Sequence, residues 1–188
     1  LSQARIELTE YAWKRMDFNG VLHPHAYISG GAEKHTAAIV QNRHGIEVTA
    51  GIADLLILKT TDSGFENYIR DQYTTLKETS DRILCTECEV NWIYDSPHVL
   101  FAELFGNIRA TLLETFAGHK SLSVQHTLYA MGEAVLEKYP AVREVSLKMP
   151  NKHHILYNLG QFGMENNNEV FVATDAPYGY ITGTVVRD

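Results

Sequence analysis

The sequence predicts an α+β fold in which an antiparallel sheet carries two helices packed on one face. Three observations predict it. Apolar and polar residues alternate with a period of two in several stretches joined by tight-turn signals. A helical period replaces that alternation only in two consecutive stretches near the middle of the chain. Alternating stretches then return, and the order of strands, helices and strands builds an antiparallel sheet rather than parallel βαβ units.

The elements follow in order. Arg5-Ile6-Glu7-Leu8-Thr9-Glu10-Tyr11 alternates as a half-buried strand does, and Asn19-Gly20 supplies the pair that tolerates positive φ in a tight hairpin. Residues 21–29 form the return strand. Gly30-Gly31 breaks that pattern and is the one plausible internal boundary. Residues 35–41 and 46–50 pair across Asn42-Arg43-His44-Gly45, and the apolar run 55–59 leads into the loop Thr60-Thr61-Asp62-Ser63-Gly64. Residues 83–92 read as extended, which places Cys85 and Cys88, three apart, on opposite faces, one in and one out. That argues for structural thiols in a reducing compartment, against a zinc or redox pair.

From 97 to 117 the period is helical, with Leu100, Leu104, Ile108 and Leu112 on one face. Asp95 or Ser96 is expected to cap it, Pro97 to open its first turn, and Gly118 to close it in a left-handed cap. A second helix is expected from near Ser121, carrying Val124, Leu128, Met131 and Val135 until Pro140 stops it. Residues 144–149, 169–173 and 181–186 supply the last strands, and the polar stretch 165–169 reads as a loop.

With 188 residues, 45% hydrophobic and 21% charged, the chain has the composition of a globular protein with a real core. No stretch is apolar enough for a membrane helix, and the opening residues lack the pattern of a signal peptide. A net charge of −7 argues against a nucleic-acid partner. G-x-G-x-x-G, the P-loop, H-E-x-x-H and G-x-S-x-G are all missing. His23-Pro24-His25 and His153-His154 invite a metal reading, but no third ligand can be placed beside them from sequence, and solvent-facing or hydrogen-bonded histidines are the simpler expectation.

The richest run is Lys59-Thr60-Thr61-Asp62-Ser63-Gly64-Phe65-Glu66-Asn67-Tyr68-Ile69-Arg70-Asp71-Gln72-Tyr73-Thr74-Thr75-Leu76-Lys77-Glu78-Thr79-Ser80-Asp81-Arg82. Together with Ser123-Val124-Gln125, Met149-Pro150-Asn151-Lys152-His153-His154 and Asp175-Ala176-Pro177-Tyr178-Gly179, it resembles the urate oxidase (uricase) family in block order over nearly the whole chain. The resemblance implies a tunnelling fold (T-fold), whose antiparallel sheets assemble into a barrel around a tunnel. It implies oxidation of urate by molecular oxygen to 5-hydroxyisourate and hydrogen peroxide with neither metal nor organic cofactor. By position in the motifs, Phe65 stacks on the purine, Arg82 and Gln125 grip its polar edge, and the Val124 amide contacts it. Asn151 and His153 flank the oxygen and water site, with His153 as the catalytic proton carrier.

The residue types suit that ligand. Urate is a flat anion, which calls for an aromatic face, a fixed cation and an amide complementary to ring edges. A guanidinium about 4 Å away attracts it by roughly 4 kcal/mol at an effective dielectric near 20, before desolvation is subtracted. Each residue also has a plainer role: Phe65 in a core, Arg82 paired with Asp81 or Glu78, Gln125 capping a helix, and His153 as a structural histidine. Tyr68, Arg70 and Asp71 are assigned to packing and ion pairing.

Against the family pattern the chain opens partway through. Residues 1–33 match the end of a first T-fold module and 34–188 the second. The lysine and threonine that work with the histidine fall in the missing part, so the expectation is activity only with an N-terminal module or neighbouring subunits in a homotetramer. The alternatives are a catalytically silent purine-binding or assembly module, or a purine- or pterin-handling enzyme of the same fold without oxidase activity. The expected compartment is cytoplasmic, with peroxisomal as the alternative.

Overall fold

The computed structural model describes residues 2–187. Strand β1 (Gln3–Phe18) turns into β2 (Val21–Asn42) through Asn19 and Gly20, at φ +56° and +81°. The Asp17 carboxylate accepts the Gly20 N–H at 2.7 Å and fixes that turn. The expected break at Gly30-Gly31 does not occur. Residues 30–33 instead bulge opposite Ala12 where the register shifts, with Gly31 at φ +127°, and β2 runs on as one strand. The bulge absorbs the extra residues without ending the ladder.

β2 pairs with β3 (Gly45–Lys59), β3 with β4 (Leu84–Tyr94), and β4 with β5 (Val142–Asn151). With β8 (Gly179–Val186) at the far edge, the result is a six-stranded antiparallel sheet ordered β1-β2-β3-β4-β5-β8. β6 (His154–Leu156) and β7 (Phe171–Ala173) form a separate two-stranded ribbon. Helices α1 (Phe101–Gly118) and α2 (Val124–Lys138) cover one face.

Alternation explains the core. Leu84, Cys88, Val90, Trp92 and Tyr94 of β4 point to the helices, as do Val145, Leu147 and Met149 of β5. They meet Ile108, Leu112 and Phe116 of α1 and Val124, Leu128, Met131 and Val135 of α2. Each such side chain contributes about 1.5–3 kcal/mol when fully buried. Helix α2 lies so close to the sheet that a Cβ on Gly132 would sit 2.7 Å from Val185, so an alanine there would push the helix outward.

Three local expectations are corrected. Helix α1 starts after Leu100 with no side-chain cap. Asp95 instead donates its N–H to the Ala141 carbonyl and Ser96 accepts from the His98 N–H, which ties residues 95–98 to the strand side. Gly118 is the last helical residue rather than a left-handed cap, and His119 follows in extended conformation with its carbonyl held by Lys59 Nζ at 2.6 Å. Both cysteines are buried, although they lie on opposite faces of β4. Cys88 sits in the core, and Cys85, on the other face, continues the β4–β5 ladder, its carbonyl accepting the Lys152 N–H at 2.9 Å. Burial pushes the Cys85 thiol up and the Cys88 thiol up to about 12, so both are protonated, free thiols.

Candidate functional site

One pair of backbone bridges assembles the site. Gly64 N–H donates to the Ser121 carbonyl and Ser121 N–H to the Asp62 carbonyl, both at 2.8 Å, so the loop after β3 is stitched to the segment that opens α2. The Ser123 hydroxyl accepts the His126 N–H at 3.1 Å and caps that helix. Gln125, whose plainer role was capping, is thereby left exposed in the first turn. Val124 is the first helical residue, and its N–H has no partner inside the helix.

The same loop places the aromatic ring and the cation. Phe65 exchanges two backbone hydrogen bonds with Thr79, at 2.7 and 3.1 Å, closing residues 65–79 into a loop. Arg82 N–H donates to the Ser63 carbonyl at 2.7 Å, and its guanidinium carbon lies 5.6 Å from the Phe65 ring centre. The Arg82–Asp81 pairing is absent; the Asp81 carboxylate instead accepts from the Thr61 hydroxyl, 3.1 Å from both its oxygens. Arg82 Nε is buried without a hydrogen-bond partner among the described residues, and burial lowers the guanidinium's affinity for its proton. A desolvated cation with an idle donor is costly unless something anionic meets it.

Strand β5 delivers the remaining groups. It ends at buried Asn151, held in register between Thr86 and Gly179. His153 follows two residues later in the link to β6, with its carbonyl accepting the Thr174 N–H at 3.0 Å. Burial, and then the Arg82 charge, lower the pKa of the His153 imidazole, which favours the neutral ring at pH 7. Phe65, Arg82, Val124, Gln125, Asn151 and His153 all line one cavity of about 460 Å³. The side chains of Gln125, Asn151 and His153 have no hydrogen-bond partner among the described residues, so their polar atoms are free for a ligand.

Sequence reasoning missed other parts of the wall. Leu76, Phe171 and Ile181 line the same cavity. Only Leu76 had a signal, since it lies in the same run as Phe65. Phe171 arrives on the separate β6–β7 ribbon, which short strands gave no means of placing. A larger cavity of about 810 Å³ lies between the first strands and α1, but its walls are mostly apolar, including Leu8, Ile39, Val48, Phe101 and Phe105. Its charged lining groups are already paired, His35 with Glu10 and Glu33 and Arg109 with Glu33, whereas polar side chains of the smaller cavity are unpartnered. His23 and His25 stand with ring centres 4.7 Å apart, yet no cluster of three or more metal-ligating side chains occurs among the described residues.

Comparison with known proteins follows the same lines. The uricase family model matches residues 48–182. The chain is 41% identical over 179 residues to the uricase of Arthrobacter globiformis, covering 95% of this chain and 58% of that protein. It is 40% identical over 192 residues to the uricase of Oryctolagus cuniculus, covering 98% and 64%. The crystal structure of the Arthrobacter globiformis uricase superposes with a TM-score of 0.93 at 40% identity, over all of this chain and 64% of that one. A urate oxidase from Bacillus sp. TB-90 matches in fold, with a TM-score of 0.81 at 24% identity. The chain thus spans 58–64% of the curated relatives named here. An α+β T-fold with family motifs gathered at one cavity, matched by that family's model over most of its length, belongs to the uricase family.

Proposed function

We propose that this chain supplies the urate-holding half of a urate oxidase site and works with an N-terminal T-fold module, on a separate chain or a neighbouring subunit, in a homotetramer. In this reading residues 1–33 are the end of the first module and 34–188 are the second. The reaction is urate plus oxygen plus water to 5-hydroxyisourate plus hydrogen peroxide. Urate gives up two electrons to oxygen, and water provides the new hydroxyl. The observation that carries the reading is Arg82: a half-buried guanidinium whose buried Nε has no partner among the described residues, set beside an aromatic wall, suits a flat anion.

Each residue then has a physical task. Phe65 offers a face for the purine plane, and Arg82 with Gln125 matches its charged edge. A purine lacking that edge would cover these groups without pairing them, at a cost of ~1–3 kcal/mol, which gives selectivity. The Val124 amide adds a donor at the positive end of α2. Asn151 orients oxygen or water, and neutral His153 takes a proton as the substrate loses charge. The lysine and threonine expected to relay that proton come from the partner module.

A second reading, a catalytically silent purine-binding module, is favoured by the exposure of His153, whose side chain touches no proton partner among the described residues. One assay separates the two: loss of urate's ultraviolet absorbance together with peroxide formation, with and without the N-terminal module and with chelator. Turnover that needs the module and survives chelator supports the oxidase. Urate binding without turnover in the assembled protein supports the silent module, and activity abolished by chelator overturns the cofactor-free mechanism.

A further inference from the structure

Behind the aromatic wall lies a second ring that does not face the cavity. Tyr68 stacks on Phe65 with ring centres 4.5 Å apart and planes 14° apart, and the Arg70 guanidinium carbon lies 5.8 Å from the Tyr68 ring centre. The Tyr68 hydroxyl donates to the backbone carbonyl of Leu76, another cavity-lining residue. One side chain therefore touches two walls of the site from outside.

The rest of the loop is arranged to hold Tyr68 in that place. Its base is closed by the Phe65–Thr79 hydrogen bonds, and Asn67, at φ +58°, donates its N–H to Glu78 at 3.0 Å. The turn at its tip is fixed by Asp71, which accepts from the Tyr73 N–H and the Thr74 hydroxyl at 2.9 Å. Phe65 is only half buried. Without a backing ring it would sample several rotamers, and a ligand would have to order it on binding.

We propose that Tyr68 is a positioning residue, fixing the Phe65 ring and the Leu76 wall in the geometry that receives a flat purine. This rests on reading the cavity as a purine site. Substituting Tyr68→Ala removes the backing ring, while Tyr68→Phe keeps it and removes only the hydroxyl. Neither touches the helix-covered core.

The test is anaerobic titration with urate, where no turnover is possible, of wild type, Y68A and Y68F, with thermal melting as a control for folding. Y68A should bind about three- to tenfold more weakly with an unchanged melting curve. Its drop in urate absorbance on saturation should also shrink, because a disordered ring stacks less well on the chromophore. Y68F should restore most of both. Equal affinity and equal absorbance change in Y68A and wild type would overturn this role alone. So would Y68F falling as far as Y68A, since the ring would then not be the acting part. Failure of wild type itself to bind urate overturns the purine reading and this role with it.

Discussion

The chain has two tryptophans, and they live in different molecules, so to speak, within one sheet. Trp92 on β4 is fully buried between the sheet and α1, with its ring 5.2 Å from Phe105. Trp13 on β1 is 65% exposed, in company with Ile6, Leu8 and Phe18, all more than half exposed. Both strands are long and both are rich in apolar residues, so strand propensity does not separate them. Cover does. Helices α1 and α2 lie over β3, β4 and β5, while the β1–β2 hairpin projects with apolar side chains in solvent. An exposed apolar patch of that kind marks an interaction surface. The candidate site sits at the end of the covered half, where the loop after β3, the start of α2 and the end of β5 meet.

The largest expected effect tests the covered half. Trp92→Ala should destabilise the chain by about 3–5 kcal/mol, because the ring leaves a cavity that neighbouring rings cannot fill. Urea denaturation followed by circular dichroism measures it. A cost below about 1 kcal/mol would mean the helix-to-sheet core is loosely packed, and the contrast with the β1–β2 hairpin would lose its basis.

Next comes a substitution that should spare stability and strike binding. Arg82→Ala is expected to weaken urate binding by about 30- to 100-fold, or about 2–3 kcal/mol, since hydrogen bonds to a charged group fall in that range. Its melting temperature should hold or rise, because the guanidinium is partly desolvated and makes no ion pair among the described residues. Isothermal titration and thermal melting on the same samples check both halves, and unchanged affinity removes Arg82 from the site.

Where the two halves meet, Arg109 of α1 holds Glu33 of β2 through both carboxylate oxygens, at 2.6 and 2.7 Å. The Arg109 hydrogen bond, with help from His35, holds the Glu33 carboxyl below its ordinary pKa. A carboxyl whose folded pKa is depressed adds stability above its unfolded pKa and loses it as pH falls through the folded value. Arg109→Ala should therefore cost roughly 1 kcal/mol at pH 7, allowing for partial exposure, and the gap between mutant and wild type should close in acid. Urea melts at pH 7 and at pH 3 measure the difference, and a gap that persists at pH 3 assigns the loss to packing of the arginine stem.

Much of this division was legible in the sequence, and the failures have physical causes. Leu84 to Trp92 alternate so regularly, and Val124, Leu128, Met131 and Val135 repeat so evenly, that the covered half follows from period alone. The motif run from Lys59 to Arg82 brought Phe65 and Arg82 into view because their joint order is distinctive, and the cavity gathers both. Gly30-Gly31 misled because a bulge and a strand end use the same residues. Ser96 misled because its hydroxyl accepts from His98 before the helix begins. The lone Arg82 was not foreseeable from composition: Asp81 is its sequence neighbour, and only the fold shows that Thr61 occupies that carboxylate. Cys85 looked outward by alternation and does lie outside the helix-covered core, but its burial there was not legible from the period.

The smallest expected effect on the single chain is also the one that tests the bare half most directly. Trp13→Ser removes a large ring from a position where it is 65% exposed, so unfolding free energy should change by no more than about 0.5 kcal/mol. The same substitution should impair the proposed assembly, because a large aromatic ring in an exposed apolar patch can carry a large share of an interface's energy. Sedimentation of wild type and mutant over a range of concentrations, alone and with the N-terminal module, measures that share. Acrylamide quenching adds a local view: Trp13 should be readily quenched in the single chain and protected on assembly, while Trp92 stays protected in both. A Trp13 that is already shielded in the monomer, or a mutant that assembles as well as wild type, would show that the β1–β2 hairpin finds its cover elsewhere.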